Sequence, residues 1–430
     1  MTAFDRRLEQ ALPDVLTDIA APRVPDYATD VLALTAVTRQ RPRWTFLQRW
    51  LPMDIPVRPL VYAPRVPWRL LVVAALAIAL LAAGMLIAGA QRKVPAPFGP
   101  ARNGALLFGD GDIYIRDALH GTSRLLLGGP TDDFAAGFTR DGTRMTFLRR
   151  ISGSAGTSSE RIQLLGAAID GANPIPLTGA LIAPDWWDIS PDDTTIIGSV
   201  GDYTVGQHLY RWSALEPGEP QLIELGRDMN TSFPNFRGPD GAEVVFRAIT
   251  TVDNRVRSGL FAVHPDGSGL RAVTPTDGHR DDDYQFPQLS PDGKLLAYTA
   301  WDTAAGRHRL HILDLVTGAV REFDDDAGSA GFATFSPDST RLLFQRFYDG
   351  EIQIVTAPVA DAAASVTVGP GYPVVEGEYV SATFSPDGAW ILISDPVSKE
   401  TWLVDAVAGG EGDVLAWSAG NISSWQRVAP

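Results

Sequence analysis

The chain contains no cysteine, which excludes disulfides, thiolate metal sites and a cysteine nucleophile. Lysine is nearly absent. Three Lys stand against 33 Arg, a bias we read as genome composition rather than chemistry. The six His are scattered. His308 and His311 lie near Asp302, but His308-Arg309-Leu310-His311 reads as a strand entering a sheet rather than as a metal site. No Gly-x-Ser-x-Gly elbow, His-Glu-x-x-His pair or Walker lysine pattern occurs. The sequence therefore singles out no catalytic residue, no metal ligand and no cofactor site.

What is abundant is glycine, proline and apolar side chains. Forty-one Gly, 32 Pro and 45% apolar residues suit a turn-rich β protein with a substantial core. Charge is unevenly placed. Residues 1–69 hold ten Arg against seven acidic residues, whereas residues 94–430 hold 24 basic and 44 acidic ones. An acidic part of that size argues against nucleic acid as its partner.

The chain is organised around Phe384-Ser385-Pro386-Asp387-Gly388-Ala389-Trp390-Ile391-Leu392-Ile393. Close copies surround Asp292 and Asp338, and looser ones surround Asp141, Asp192 and Asp240. These aspartates are 46 to 52 residues apart, a period that signals a repeat architecture. Each copy is a hairpin turn. Proline sets φ near −65°, Asp tolerates the next position, and Gly takes the left-handed one. At that last position Asp193 is tolerated, whereas Ser339 is expected to be slightly strained.

Each unit reads as four strands. In the fifth these are Leu295 to Thr299, Leu310 to Leu315, Ala319 to Phe323 and Ala330 to Phe335, the last leading into the next turn. With a first strand at Ala105 to Phe108 we count seven units; six or eight would follow if one weak unit is misread. Nothing resembling a leading strand precedes Asn103-Gly104, while Ile422 to Trp425 resembles a leading strand with no unit after it. Joining the two closes a ring, with Trp425 expected between the first and last units.

These units resemble the TolB-type propeller repeats, whose blades carry a Ser-Pro-Asp-Gly turn. The resemblance spans roughly residues 100–430 and implies an all-β fold, a β-propeller with seven blades favoured. In architecture the chain is also similar to WD-repeat proteins, without their Gly-His and Trp-Asp signatures. Such repeats specify fold better than function, since members serve as binding platforms, periplasmic adaptors and accessory domains of peptidases.

Before the repeats, residues 1–67 read as short helices broken by proline, with one over Asp30 to Val37. Arg39 to Leu51 interleaves Arg with aromatics, a pattern that suits either an anionic membrane surface or a small packed helix. Residues 68–93 form a transmembrane segment with its flanks. Leu70 to Ala90 is 21 residues without a charge, and as a helix it would cross about 30 Å of hydrocarbon. Ala88-Gly89-Ala90 has the look of a peptidase site, but the preceding residues and the apolar core are too long for a signal peptide. An uncleaved single-pass anchor in the lipid bilayer is expected. Ten Arg precede it and Arg92, Lys93 and Arg102 follow, which favours a cytoplasmic N-terminus and places residues 94–430 outside the cytoplasmic membrane. That layout is similar to membrane-bound anti-sigma factors, although residues 1–67 contain none of the His or Cys of that family's zinc motif.

The candidate docking face comes from charge runs. Asp132 and Asp133, then Asp281, Asp282 and Asp283, then Asp324, Asp325 and Asp326 fall between an outer strand and the next inner one. Arg149, Arg150, Arg255, Arg257 and Arg307 fall in the loops that would share that face. The bland reading is solvated loops; the functional one is a surface for a protein, peptide or glycan. Two functions follow as expectations. One is a membrane-anchored, extracytoplasmic, non-enzymatic binding module of the bacterial envelope. The other is a transmembrane regulator whose residues 1–67 hold a cytoplasmic partner such as a sigma factor.

Overall fold

The computed structural model describes Ala33 and residues 95–430, except 110, 155–159, 180–185, 203–205, 227, 253–254, 275–283, 324–327, 376–379, 417–421 and 430. The chain divides into two compact units, Met1–Gly89 and Ala90–Pro430. Ala33 is helical, within the helix expected over Asp30 to Val37. The rest of residues 1–67 and the apolar stretch Leu70 to Ala90 lie outside the described residues. Among the described residues, no helix is long and apolar enough to cross a membrane.

From residue 102 the regular secondary structure described is almost entirely strand. Strands β1 (Arg102–Phe108), β2 (Ile113–Arg116) and β3 (Ser123–Leu127) open the series. Then come β4 (Asp132–Phe138), β5 (Arg144–Ser152), β6 (Arg161–Ala168) and β7 (Ile175–Pro176). The next group is β8 (Trp186–Ile189), β9 (Thr195–Asp202), β10 (Gly206–Ser213) and β11 (Gln221–Leu222). It is followed by β12 (Asn230–Arg237), β13 (Glu243–Val252), β14 (Arg255–Val263) and β15 (Arg271–Ala272). Then come β16 (Gln285–Leu289), β17 (Leu295–Asp302), β18 (Arg307–Asp314) and β19 (Val320–Glu322). Strands β20 (Ser329–Phe335), β21 (Arg341–Tyr348), β22 (Glu351–Pro358) and β23 (Val366–Pro373) precede β24 (Ser381–Phe384), β25 (Trp390–Ser394), β26 (Thr401–Asp405) and β27 (Gly409–Val414). The last is β28 (Ile422–Val428).

Strands β4 to β19 make four antiparallel sheets of four strands each. Strands β20 to β27 make one eight-stranded sheet, in which two antiparallel groups of four meet at a single parallel bridge, Val368 to Gly410. The remaining sheet runs β28-β1-β2-β3, so the end of the chain pairs with its beginning. Leu106 lies opposite Trp425, and Leu107 opposite Ser424. Trp425 Nε1 donates to the Gly104 carbonyl at 3.2 Å. Trp425 packs with Leu106, Phe108 and Ile422 against Leu392 of β25, between the first and last groups as the sequence predicts. Each buried apolar cluster likewise fills the space between one group of four strands and the next. Phe147 joins Leu107 in one, and Phe246 joins Ile197 in another.

The recurring turns sit at one end of these sheets. Ser290 Oγ donates to Asp292 Oδ1 at 2.6 Å, and the same bond recurs in Ser190–Asp192, Ser336–Asp338 and Ser385–Asp387. Gly293 N closes the turn on the Ser290 carbonyl. Bonds from Ser190 and Thr194 hold Asp192 below the usual carboxylate range. Partial burial opposes ionisation of Asp292, yet the bonds from Ser290 and Lys294 outweigh it and lower its pKa.

Two of the turns also grip their predecessors through a left-handed residue that is not glycine. Asp193 (φ 56°) accepts bonds from Arg140 N at 2.7 Å and Asp141 N at 2.8 Å. Ser339 (φ 63°) accepts one longer bond, 3.3 Å, from Asp292 N. At the closure Asn103 plays this part, bonding to Asp387 through both ends of its amide. The two non-glycine residues should therefore respond oppositely to glycine. Ser339→Gly relieves strain and loses one weak bond, so it should raise stability by up to about 1 kcal/mol. Asp193→Gly forfeits two bonds to a carboxylate and should lower stability by about 1–3 kcal/mol. Thermal unfolding of the two variants checks the contrast.

Candidate ligand-binding channel

The first strands of successive groups surround a cavity of about 1100 Å³, lined from β8, β12, β16, β20 and β24. On its wall the strands share one irregularity. In β12 the pairing skips from Ser232 to Asn235, so Phe233 and Pro234 stand opposite Phe246 alone. In β16 Phe286 and Pro287 stand opposite Tyr298, and in β20 Phe332 and Ala333 stand opposite Phe344. In β4 the same bulge sets Ala135 and Ala136 opposite Phe147. A two-against-one bulge bends the strand and re-aims its side chains.

Its first residue is left-handed every time: φ is 49° at Ala135, 53° at Phe233, 50° at Phe286 and 44° at Phe332. A bulky residue in that well is strained, and strain of this kind gathers at functional sites. The second residue is small or proline and buried; Ala136 and Ala333 enter the clusters between sheets.

The bulged phenylalanines meet. Trp186 of β8 lies 5.0 Å from Phe233, Phe233 lies 5.2 Å from Phe286, and Phe286 lies 4.0 Å from Phe332, between ring centroids. Four aromatic rings thus form a continuous arc over one side of the channel, with Trp186 44% exposed. The equivalent positions of the flanking inner strands are small: Ala135 in β4 and Ser381 in β24.

Between and behind the rings the lining includes six uncharged amide side chains. Asn230 Oδ1 accepts from Gln207 N, and Asn235 Nδ2 donates to the carbonyls of Phe233 and Pro287. Gln345 Nε2 donates to the Val380 carbonyl at 2.6 Å. The ionised groups of the wall are engaged. Asp188 accepts from Arg140 Nη2, Ile189 N and Phe236 N at 2.6, 2.8 and 2.9 Å. Arg247 Nε donates to the Tyr284 carbonyl at 2.6 Å. A smaller cavity of about 260 Å³ lies among the turns at Ser190, Pro191, Phe236 and Pro239. Its serine and aspartate already bond to each other.

The residues singled out from sequence are only partly brought together. Asp132 and Asp133 lie in β4, Arg149 and Arg150 in β5, Arg255 and Arg257 in β14 and Arg307 in β18. They are strand residues rather than the loop residues expected, because the hairpin ladders run on past the apolar core. Asp133 stands opposite Arg149 and takes a two-pronged bond from it at 2.7 and 2.8 Å, with Asp133 only 2% exposed. Arg150 pairs with Asp132 and Glu160. Arg307 donates to the Gly328 carbonyl. Asp281, Asp282, Asp283, Asp324, Asp325, Asp326 and the side chain of Arg255 lie outside the described residues. His308 and His311 both belong to β18 and pack against Trp301 and Tyr298. Among the described residues, no three His, Asp or Glu are grouped to hold a metal ion.

No protein-family model matches the chain, and no curated protein matches it. Solved structures do. The chain is similar to an oligogalacturonate lyase in complex with manganese, at 16% identity and a TM-score of 0.54, over 73% of this chain and 87% of that one. The fold is a β-propeller. A prolyl endopeptidase matches at 11% identity and a TM-score of 0.50, over 76% of this chain and 51% of that one, so this propeller spans about half of that protein. TolB from Acinetobacter baumannii matches at 14% identity and a TM-score of 0.43, over 65% of this chain and 66% of that one. At these identities the likeness concerns fold alone. In the propeller the aromatic arc lies on the channel wall, on inner-strand positions six or seven residues before the turn aspartates.

Proposed function

We propose that the chain is a membrane-anchored, extracytoplasmic propeller of seven blades that binds a ligand in its channel and carries out no chemistry on it. The blade count treats β20 to β27 as two blades meeting at one bridge. The observation that carries the binding reading is the arc of Trp186, Phe233, Phe286 and Phe332 in an open cavity, with the three phenylalanines on strained backbone. A cavity with apolar walls and a few convergent polar groups is the usual form of a ligand site, and this one slightly exceeds the roughly 300–1,000 Å³ typical of small-molecule pockets. The non-enzymatic part rests on Asp188 and Arg247, whose bonds to neighbouring strands leave them as struts.

A thermal-shift screen of the full-length protein against glycans, peptides and metabolites tests the binding reading. Some ligands should raise the melting temperature of the parent and leave Phe286→Ala unmoved. Shifts that are equal in parent and variant for every ligand would contradict it.

Anchoring rests on the 21 uncharged residues Leu70 to Ala90 and on the arginines before them. A reporter that fluoresces only in the cytoplasm should shine when fused to the N-terminus and stay dark at the C-terminus. The reverse pattern would put the propeller inside the cell.

A further inference from the structure

We infer that the channel binds a neutral oligosaccharide; this deepens the ligand-binding reading above and rests on it. A sugar ring has two chemistries. Its C–H faces are apolar and lie flat on aromatic rings, while its hydroxyls each donate and accept hydrogen bonds. The channel offers surfaces for both. The arc supplies the rings, three of them held on bulges that set them in the channel wall. Neutral amides supply the polar contacts, and Gln207 and Gln345 among them are 2% and 5% exposed.

These two amides are incompletely paired. Gln207 Nε2, a donor, and Gln345 Oε1, an acceptor, find no partner in the protein, and both residues line the cavity. Leaving a buried amide group unpaired costs about 1–3 kcal/mol. A hydroxyl, which both donates and accepts, can satisfy either one.

Charge selects among saccharides. Among the described lining residues the fixed charges are Asp188 and Arg247, which cancel and are bonded to protein. Around this neutral wall residues 94–430 carry 20 more acidic than basic side chains, which repels a polyanionic glycan. A chain of uncharged sugars meets neither obstacle. The small, exposed Ala135 and Ser381 on the flanking inner strands leave room for it beside the rings.

The test uses the full-length protein in lipid nanodiscs, free of glycoside detergents. Isothermal titration is run with hexasaccharides of β-1,4-glucose, α-1,4-glucose and β-1,4-N-acetylglucosamine, with hexagalacturonate, and with a basic proline-rich peptide. At least one neutral hexasaccharide should bind, with hexagalacturonate at least tenfold weaker. Phe286→Ala and Gln207→Met should each weaken binding at least tenfold. Gln207→Met should melt no lower than the parent, because it removes an unpaired polar group, and a merely structural role would lower it. Failure of every neutral hexasaccharide, or binding indifferent to both variants, overturns the inference. Arc-dependent binding of the peptide alone overturns the saccharide and leaves the ligand site standing. If no probe responds to the arc and the thermal-shift screen agrees, both fall.

Discussion

Deleting residues 420–430 from the full-length protein should open the ring and leave a species that aggregates or melts far below the parent. The deletion removes β28, whose ladder with β1 runs from Arg102–Val428 to Phe108–Ile422. It exposes the inner edge of β1, an unpaired strand that invites association with other chains. It also empties the cluster of Leu106, Phe108, Leu392, Ile422 and Trp425. Trp425→Ala alone should cost about 3–5 kcal/mol, since the indole is 7% exposed and wedged between first and last blades. A truncated chain that stays monodisperse and melts within about a degree of the parent would refute closure at this seam.

Asp188→Ala should cost about 3 kcal/mol, the second largest loss expected of a single side chain. Its carboxylate lies in β8 but takes bonds from Arg140 in the preceding blade and Phe236 N in the following one. Arg140 also donates to the Ile189 carbonyl. Removing the carboxylate strands one arginine and two backbone N–H groups, each worth about 1.5–3 kcal/mol when bonded to a charge. The pair is about one-fifth exposed, which lowers the total. Asp188→Asn should be nearly as costly, because its NH2 would face a donor. Chemical denaturation decides the matter, and a loss below about 0.5 kcal/mol would show that the three bonds contribute little.

The repeating turn made most of this fold legible. Six spaced aspartates located the hairpins, and the strands around them fall where expected; the fifth unit's Leu310 to Leu315 lies within or beside β18 (Arg307–Asp314). The left-handed Asp193 and Ser339, and the closing strand at Trp425, were likewise readable from turn chemistry and pattern. The channel was not. Its arc depends on bulges, and period-two alternation assigns a strand residue to a face only while the ladder stays regular.

A signal did exist. Ala135, Trp186, Phe286, Phe332 and Ser381 each lie six residues before the turn aspartate, and Phe233 lies seven before Asp240, whose turn holds one more residue. Aligning the units on their aspartates superimposes Phe286 and Phe332 and sets Phe233 one position away, each followed by Pro or Ala. The charged runs were hard to read for the opposite reason. Sequence shows that Asp133 and Arg149 exist, but only register shows them face to face and already paired.

Hydrogen exchange with a ligand returned by the thermal-shift screen tests the central claim, that the arc holds the ligand. The account predicts slowed amides in Trp186–Ile189, Asn230–Arg237, Gln285–Leu289 and Ser329–Phe335, the inner strands of four consecutive blades. Slowing confined to the outer strands β3, β7, β11, β15 and β19, with those inner strands unchanged, would contradict it.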